Sequence, residues 1–134
     1  MEKISLKNCE RLYKNNGQHA EMVFKYTMTG KIVKADNTPY MVSGDYGDIQ
    51  IKSARATICK GVDLDKHFQA DAAKRYAYVI DDFSTAYIMN KAEYKQFVEE
   101  FGTVTRESSR NGSNEKIRLR YETDTMKKWL ADRA

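Results

Sequence analysis

Apolar and polar residues alternate with a period of two in the stretch 48–52. Ile49 and Ile51 alternate there with Asp48, Gln50 and Lys52. On an extended strand this spacing places the two isoleucines on one face and the acid, the amide and the amine on the other. The stretch therefore predicts a half-buried strand, which we expect to run from residue 48 to residue 59 with a bend near Ala54.

Apolar residues at helical spacing predict five helices. Two of these have clear boundary signals: Gly30 ends the second helix, and Asn90 with Glu93 matches a capping box at the start of the fourth. The helices are expected at 5–13, 18–28, 63–73 and 90–101, and from Asp124, which we expect to cap the last one.

Further strands are expected where β-branched and aromatic residues cluster. The segments 76–80 and 86–89 form a predicted hairpin, and a polar loop is expected at 108–114. Helices around a mixed central β-sheet describe an α/β or α+β domain, here one domain over 1–134. The remaining strands are expected at 31–34, 40–42, 104–106 and 116–121.

Composition narrows the function classes. The chain has 134 residues, a net charge of +4 and a pI of about 9.0, which is compatible with a polyanionic partner. Cys9 and Cys59 lack the spacing of a zinc site. With no apolar run of the roughly 20 residues that span a bilayer and no signal-peptide pattern, a cytoplasmic protein without a membrane partner is expected.

Glu21 is an unusual position in the second predicted helix. It lies three residues before Phe24 and seven before Met28, so it borders the apolar stripe. A carboxylate there costs free energy unless a metal or a lysine compensates its charge. The alternative is a glutamate at the edge of the stripe that reaches water through its flexible stem.

A possible metal site lies around the alternating strand. Asp45 precedes it, and Gln50 and Lys52 share a face of it. A carboxylate with an amide oxygen can hold a hard cation such as Mg²⁺, and a lysine beside the cation can orient or deprotonate water. The alternative is a solvated strand face that follows a plain turn.

Glu21, Asp45 and the segment Gln50-Ile51-Lys52 occur in an order that resembles the PD-(D/E)XK nuclease superfamily. The short interval from acid to Gln looks like that of the mismatch-repair endonuclease group within it. The resemblance covers about residues 17–60. The amino-acid sequence of this stretch is also similar to that of small uncharacterised proteins of phages and mobile elements. Gln50 departs from the pattern, because an acid is usual at that position.

The resemblance implies a restriction-endonuclease-like core, DNA as partner and a Mg²⁺- or Mn²⁺-dependent deoxyribonuclease activity. Its catalytic residues would be Glu21, Asp45, Gln50 and Lys52, and the first three would bind the metal. Asp36 and Asp48 are alternatives to Asp45: Asp36 fits the commoner spacing, and Asp48 shares the strand face of Gln50.

Basic and hydroxyl side chains near the strand are candidates for contacts with a DNA backbone. They are Ser53, Arg55 and Lys60, together with Arg118 and Arg120 on a later predicted strand. The alternative for the later pair is an ordinary solvated face.

Two other functions remain open on the same scaffold. One is a non-catalytic nucleic-acid-binding protein, and the other is a protein-interaction or accessory factor of a mobile element. A chain of 134 residues offers little surface beyond a core and one site, so a homodimer is a further expectation.

Overall fold

The computed structural model describes residues 1–34, 41–109 and 112–134, with the backbone alone for 41–43, 107–109 and 112–114. The protein has a mixed α+β fold. In chain order its elements are β1 (Glu2–Ser5), α1 (Asn16–Thr29), β2 (Met41–Ser43), β3 (Gly47–Ser53), β4 (Thr57–Lys60), α2 (Leu64–Ala70), β5 (Arg75–Ile80), β6 (Thr85–Asn90), α3 (Lys91–Phe101), β7 (Gly102–Ser109), β8 (Gly112–Leu119) and α4 (Asp124–Arg133).

The larger sheet is mixed and has the strand order β1-β6-β5-β3-β2. β3 and β5 pair in parallel, whereas the other neighbours in this sheet are antiparallel. The chain returns from β3 to β5 through β4 and α2, as a parallel pair requires a long connection. The alternating stretch of the sequence is therefore an inner strand of this sheet.

Each face of this sheet is covered by a helix. On one face Ala20 and Phe24 of α1 pack with Ile49 in a buried cluster. On the opposite face Tyr76 stacks on Tyr94 of α3, with the ring centroids 4.3 Å apart and the planes 13° from parallel. The second face carries the larger cluster, in which aromatic side chains bury much apolar area.

The smaller sheet has the strand order β4-β8-β7. Ile58 of β4 and Ile117 and Leu119 of β8 are buried in the same cluster as Tyr76. The smaller sheet is thereby joined to the α3 side of the larger one. Because β4 follows β3 after three residues, the chain crosses from one sheet to the other at residues 54–56.

Several local predictions are confirmed. Asn90 accepts a hydrogen bond from the backbone N–H of Glu93 and the Glu93 side chain accepts one from the N–H of Asn90, which completes the capping box of α3. Gly30 adopts a left-handed conformation, with a φ of 72°, at the end of α1. β5 and β6 form the expected hairpin. The chain turns near Ala54 as expected, but the single strand predicted at 48–59 is wrong, because β3 ends at Ser53 and β4 begins at Thr57 in the other sheet. None of the helices in the described residues has the length and apolar character needed to cross a bilayer.

The predicted helix at 5–13 is wrong. Residues 2–5 form β1, which pairs antiparallel with β6, and the N–H of Leu6 extends this contact by donating to the Ser84 carbonyl at 2.8 Å. Leu12 is half exposed. The apolar residues whose spacing favoured a helix therefore do not form a continuous buried stripe. A distant strand edge satisfies this backbone instead.

Other boundaries differ from the expected ones. The segments 102–109 and 112–119 form a long antiparallel pair, where a short strand and a polar loop at 108–114 were predicted. Residues 31–34 are not a strand. The N-cap of α4 is Thr123, whose hydroxyl accepts from the N–H of Met126 at 3.1 Å, and Asp124 is the first helical residue.

We expect Gly102→Ala to lower the free energy of unfolding by about 1–3 kcal/mol, because overpacking a filled site forces its neighbours to shift. A Cβ at residue 102 would lie 2.5 Å from the Val98 carbonyl oxygen and 3.0 Å from Ile117 Cγ2. Gly44→Ala is the matched control, since a Cβ there meets nothing within 4 Å. Urea denaturation of both variants measures the difference, and equal stabilities would contradict this account of the junction between α3 and β7.

Candidate functional site

The free edge of β3 opens a cavity between α1 and the smaller sheet. β2 pairs with residues 47–49 of β3, so within the described residues no strand covers β3 from Gln50 to Ser53 on that side. The register with β5 aligns Gln50 with Tyr76 and Lys52 with Tyr78. Gln50 and Lys52 therefore share the α3 face, as the period of two predicted.

We call this space, of about 600 Å³, the first cavity. Five described segments contribute to its wall: the start of α1, the second half of β3, the crossing at 54–56, the start of β4 and β8. The described residues that line it are Asn15, Asn16, Gly17, Gln18, Glu21, Gln50, Ile51, Lys52, Ser53, Ala54, Arg55, Ala56, Thr57 and Arg118.

Three of the four predicted catalytic residues meet in this cavity. Glu21 comes from α1, on one face of the sheet, and Gln50 and Lys52 leave β3 toward the other face. They come together because the cavity wraps around the uncovered edge of β3. Residues 29 positions apart in sequence thus share one space.

Lys52 is half-buried, and its ammonium group donates to the Thr57 carbonyl at 3.4 Å. Burial lowers the pKa of Lys52, and the negative charge of Asp71 partly opposes this effect. Asp71 itself accepts a hydrogen bond from the Tyr76 hydroxyl at 2.8 Å. The amine is therefore easier to deprotonate than an exposed lysine.

The charge of Glu21 is compensated by a lysine. Its Oε1 lies 2.8 Å from the Nζ of Lys25, one turn further along α1, and both side chains are largely buried. This ion pair explains how a carboxylate is tolerated beside the apolar stripe. The other oxygen of the Glu21 carboxylate, Oε2, is a second hydrogen-bond acceptor. Glu21 is one of the residues that line the first cavity.

The two candidate aspartates that the structure describes, Asp45 and Asp48, lie elsewhere. Asp45 is exposed in the turn between β2 and β3, and Asp48 is half-buried at the start of β3. Neither is among the described residues that line the first cavity. Asp36 lies outside the described residues.

The predicted phosphate contacts divide into two groups. Ser53, Arg55 and Arg118 line the first cavity, so they lie beside Glu21 and Lys52. Lys60 is exposed at the far end of β4, and Arg120 lines another cavity near the end of β8. Arg118 and Arg120 therefore face different spaces, because β8 ends at Leu119.

Some of the lining residues were not predicted. The first turn of α1 contributes Asn15, Asn16 and Gln18, and Asn15 caps the helix by accepting from the N–H of Gln18 at 3.0 Å. The pair Asn15-Asn16 is itself an N-cap signal that could have located this helix start. Tyr121, which does not line this cavity but contacts its wall, was also not predicted. Its ring lies under the Arg55 guanidinium, a contact between distant segments for which the local sequence has no signal.

Comparisons with protein-family models, with curated proteins and with solved structures found no match for this chain.

We expect Lys52→Met to have a larger free energy of unfolding than the wild type at about pH 7. The substitution removes a buried ammonium group and keeps the apolar stem of the side chain. The folded-state pKa of Lys52 lies below its ordinary value of 10.5. At a pH between the folded-state and the unfolded-state pKa, the unfolded chain binds more protons at Lys52 than the folded chain does. The contribution of this residue to the free energy of unfolding therefore rises with pH.

Urea denaturation of both proteins between about pH 7 and pH 10 tests this dependence. The advantage of the variant should shrink as the pH rises through this window. Lys128→Met is the control, since Lys128 is exposed and paired with Asp132 at 2.8 Å. A constant difference between Lys52→Met and the wild type across the window would contradict the lowered pKa.

Proposed function

We propose that this protein binds nucleic acid through the first cavity and hydrolyses a phosphodiester bond there. One observation carries the proposal: Glu21, Gln50 and Lys52, from two elements on different faces of the sheet, line a single cavity. The resemblance of these residues to the PD-(D/E)XK nucleases adds support. The same cavity has the charges that a phosphodiester needs.

The first cavity is suited to an anion. Among the described residues, its charged lining consists of one carboxylate, Glu21, and three cations, Lys52, Arg55 and Arg118. The N-terminus of α1 also borders it, without an acidic residue in the first turn. A helix N-terminus carries a partial positive charge that favours phosphate, and arginine matches phosphate oxygens with paired donors.

The donor set fits a hard divalent cation. Glu21 and Gln50 supply oxygens, and Mg²⁺ in phosphate sites commonly takes one or two protein ligands together with water and substrate oxygens. Within the described residues no group of three or more His, Cys, Asp and Glu side chains forms a complete protein cage. Glu21 and Gln50 would hold Mg²⁺ or Mn²⁺, which when bound would neutralise charge that develops on the phosphate.

Lys52 is suited to act on the attacking water. Its neutral amine takes a proton from the water, whose oxygen forms the new bond to phosphorus while the bond from phosphorus to the leaving oxygen breaks. The lowered pKa increases the neutral fraction that can do this. Arg118, from β8, lines the same cavity and would hold the phosphate during the reaction.

We expect Lys52→Met to lower the rate of phosphodiester cleavage by about 10²- to 10⁴-fold, the usual contribution of a positioned proton acceptor. Cleavage of labelled single-stranded, duplex and junction DNA with Mg²⁺ or Mn²⁺ measures the rate. Lys128→Met removes the same charge from an exposed site on α4 and should keep full activity. Unchanged metal-dependent cleavage by Lys52→Met would reject the assignment.

We expect Arg118→Gln to weaken DNA binding and to lower the slope of log affinity against log salt by about 0.7–0.9, the loss of one phosphate contact. Arg133→Gln is the matched control, since Arg133 packs on Trp129 at the end of α4. Fluorescence anisotropy over a salt series measures both slopes. Equal slopes for the two variants would place the phosphate outside the first cavity.

The second candidate is a nucleic-acid-binding protein without catalysis. It is favoured by the ion pair of Glu21 with Lys25 and by the position of Asp45, since together they leave one already paired carboxylate on the described lining. This second candidate would be supported if binding depends on salt and requires Arg118 while none of the three DNA forms is cleaved in the presence of metal.

A further inference from the structure

Tyr121 is an exposed aromatic residue beside the first cavity. About 64% of its surface is accessible, although the Arg55 guanidinium carbon lies 4.8 Å from its ring centroid. Arg55 contributes to the wall of the first cavity. The ring and the guanidinium therefore form a flat, cationic platform next to the proposed phosphate site.

The backbone holds this platform in place. The N–H of Leu119, two residues before Tyr121, donates to the Ala56 carbonyl at 3.0 Å. Arg55, just before Ala56, has a φ of 66°, a left-handed conformation that a non-glycine residue adopts at a free-energy cost. Such strain is typical of functional positions, and here it accompanies the stacking of Arg55 on Tyr121.

Tyr121 also lines a second cavity, of about 300 Å³, between the end of α3 and the start of α4. The described residues that line it include the aromatic residues Phe101 and Tyr121 together with Thr103, Thr123 and Arg120. Flat aromatic surface with several hydrogen-bonding groups is the chemistry that holds a nucleobase. The Arg55–Tyr121 contact connects the two cavities.

We infer that Tyr121 stacks an unpaired base of the nucleic acid whose phosphate lies in the first cavity. This inference rests on the proposed function and adds the substrate class, single-stranded or locally unpaired nucleic acid. A base inside a duplex has both faces covered by its neighbours, so a tyrosine ring reaches only a base that has left the stack. The cations beside the ring hold the adjoining backbone.

Three probes distinguish the contribution of the base to the binding affinity from that of the phosphate. They are a single-stranded oligonucleotide, a blunt duplex and an abasic oligonucleotide of equal length. We expect Tyr121→Leu to weaken binding of the single strand by about 5- to 150-fold, the usual loss for one stacked base. Its affinity for the abasic strand should not change. Tyr121→Phe, which keeps the ring, and Val104→Ala, which alters another exposed apolar residue, should bind like the wild type.

A second readout uses 2-aminopurine within the single strand, whose fluorescence falls when the base stacks. We expect quenching by the wild type and by Lys128→Met, which changes an exposed lysine of α4, and none by Tyr121→Leu. Quenching in either deoxyribo- or ribo-oligonucleotides supports the platform. An equal loss of affinity for the single strand and the abasic strand in Tyr121→Leu, or a loss in Tyr121→Phe as large as in Tyr121→Leu, would overturn it.

The design keeps the two proposals apart. If Tyr121-dependent quenching occurs and no cleavage is seen, the platform stands and hydrolysis fails. If cleavage depends on Lys52 and no variant of Tyr121 changes the preference for single strands, hydrolysis stands and the platform fails. Thermal unfolding of each variant confirms that the chain is folded.

Discussion

The parallel pairing of β3 with β5 is the contact on which the rest of the structure depends. Its register directs Ile49 into the cluster with α1 and aligns Gln50 and Lys52 with the tyrosines of β5. A slip by one residue would exchange the two faces, burying polar groups against α1 and turning the isoleucines to the α3 face. The apolar core therefore also decides where the polar candidates point.

The first cavity exists because that strand is covered unequally. Among the residues that the structure describes, β5 pairs with β3 along residues 49–53, whereas β2 pairs with residues 47–49. The uncovered half faces the N-terminus of α1 and the basic wall of β8, so an excess of positive charge surrounds a partly buried amine. The desolvation of Lys52 and the left-handed backbone of Arg55 each cost stability, and the large aromatic cluster on the α3 face offsets such costs.

The smaller sheet gives the proposed site its second part. β8 brings Arg118 to the first cavity, and the residues that follow the strand carry Tyr121 to the second. The hydrogen bond from Leu119 to Ala56 fixes this segment to the crossing between the sheets. The proposed phosphate site and the proposed stacking surface thus lie at the same junction between the two sheets.

The sequence by itself determined what depends on near neighbours. The period of two around Gln50, the capping box at Asn90 and the glycine after α1 identified real elements, because caps and strand alternation act over a few residues. Tertiary structure alone decided that residues 2–5 would pair with β6 and that Arg55 would stack on Tyr121. It also decided that Glu21 and Lys52 would line one cavity, while Asp45 lay outside its described lining. Those contacts join segments distant in sequence, so the packing of the whole chain sets them.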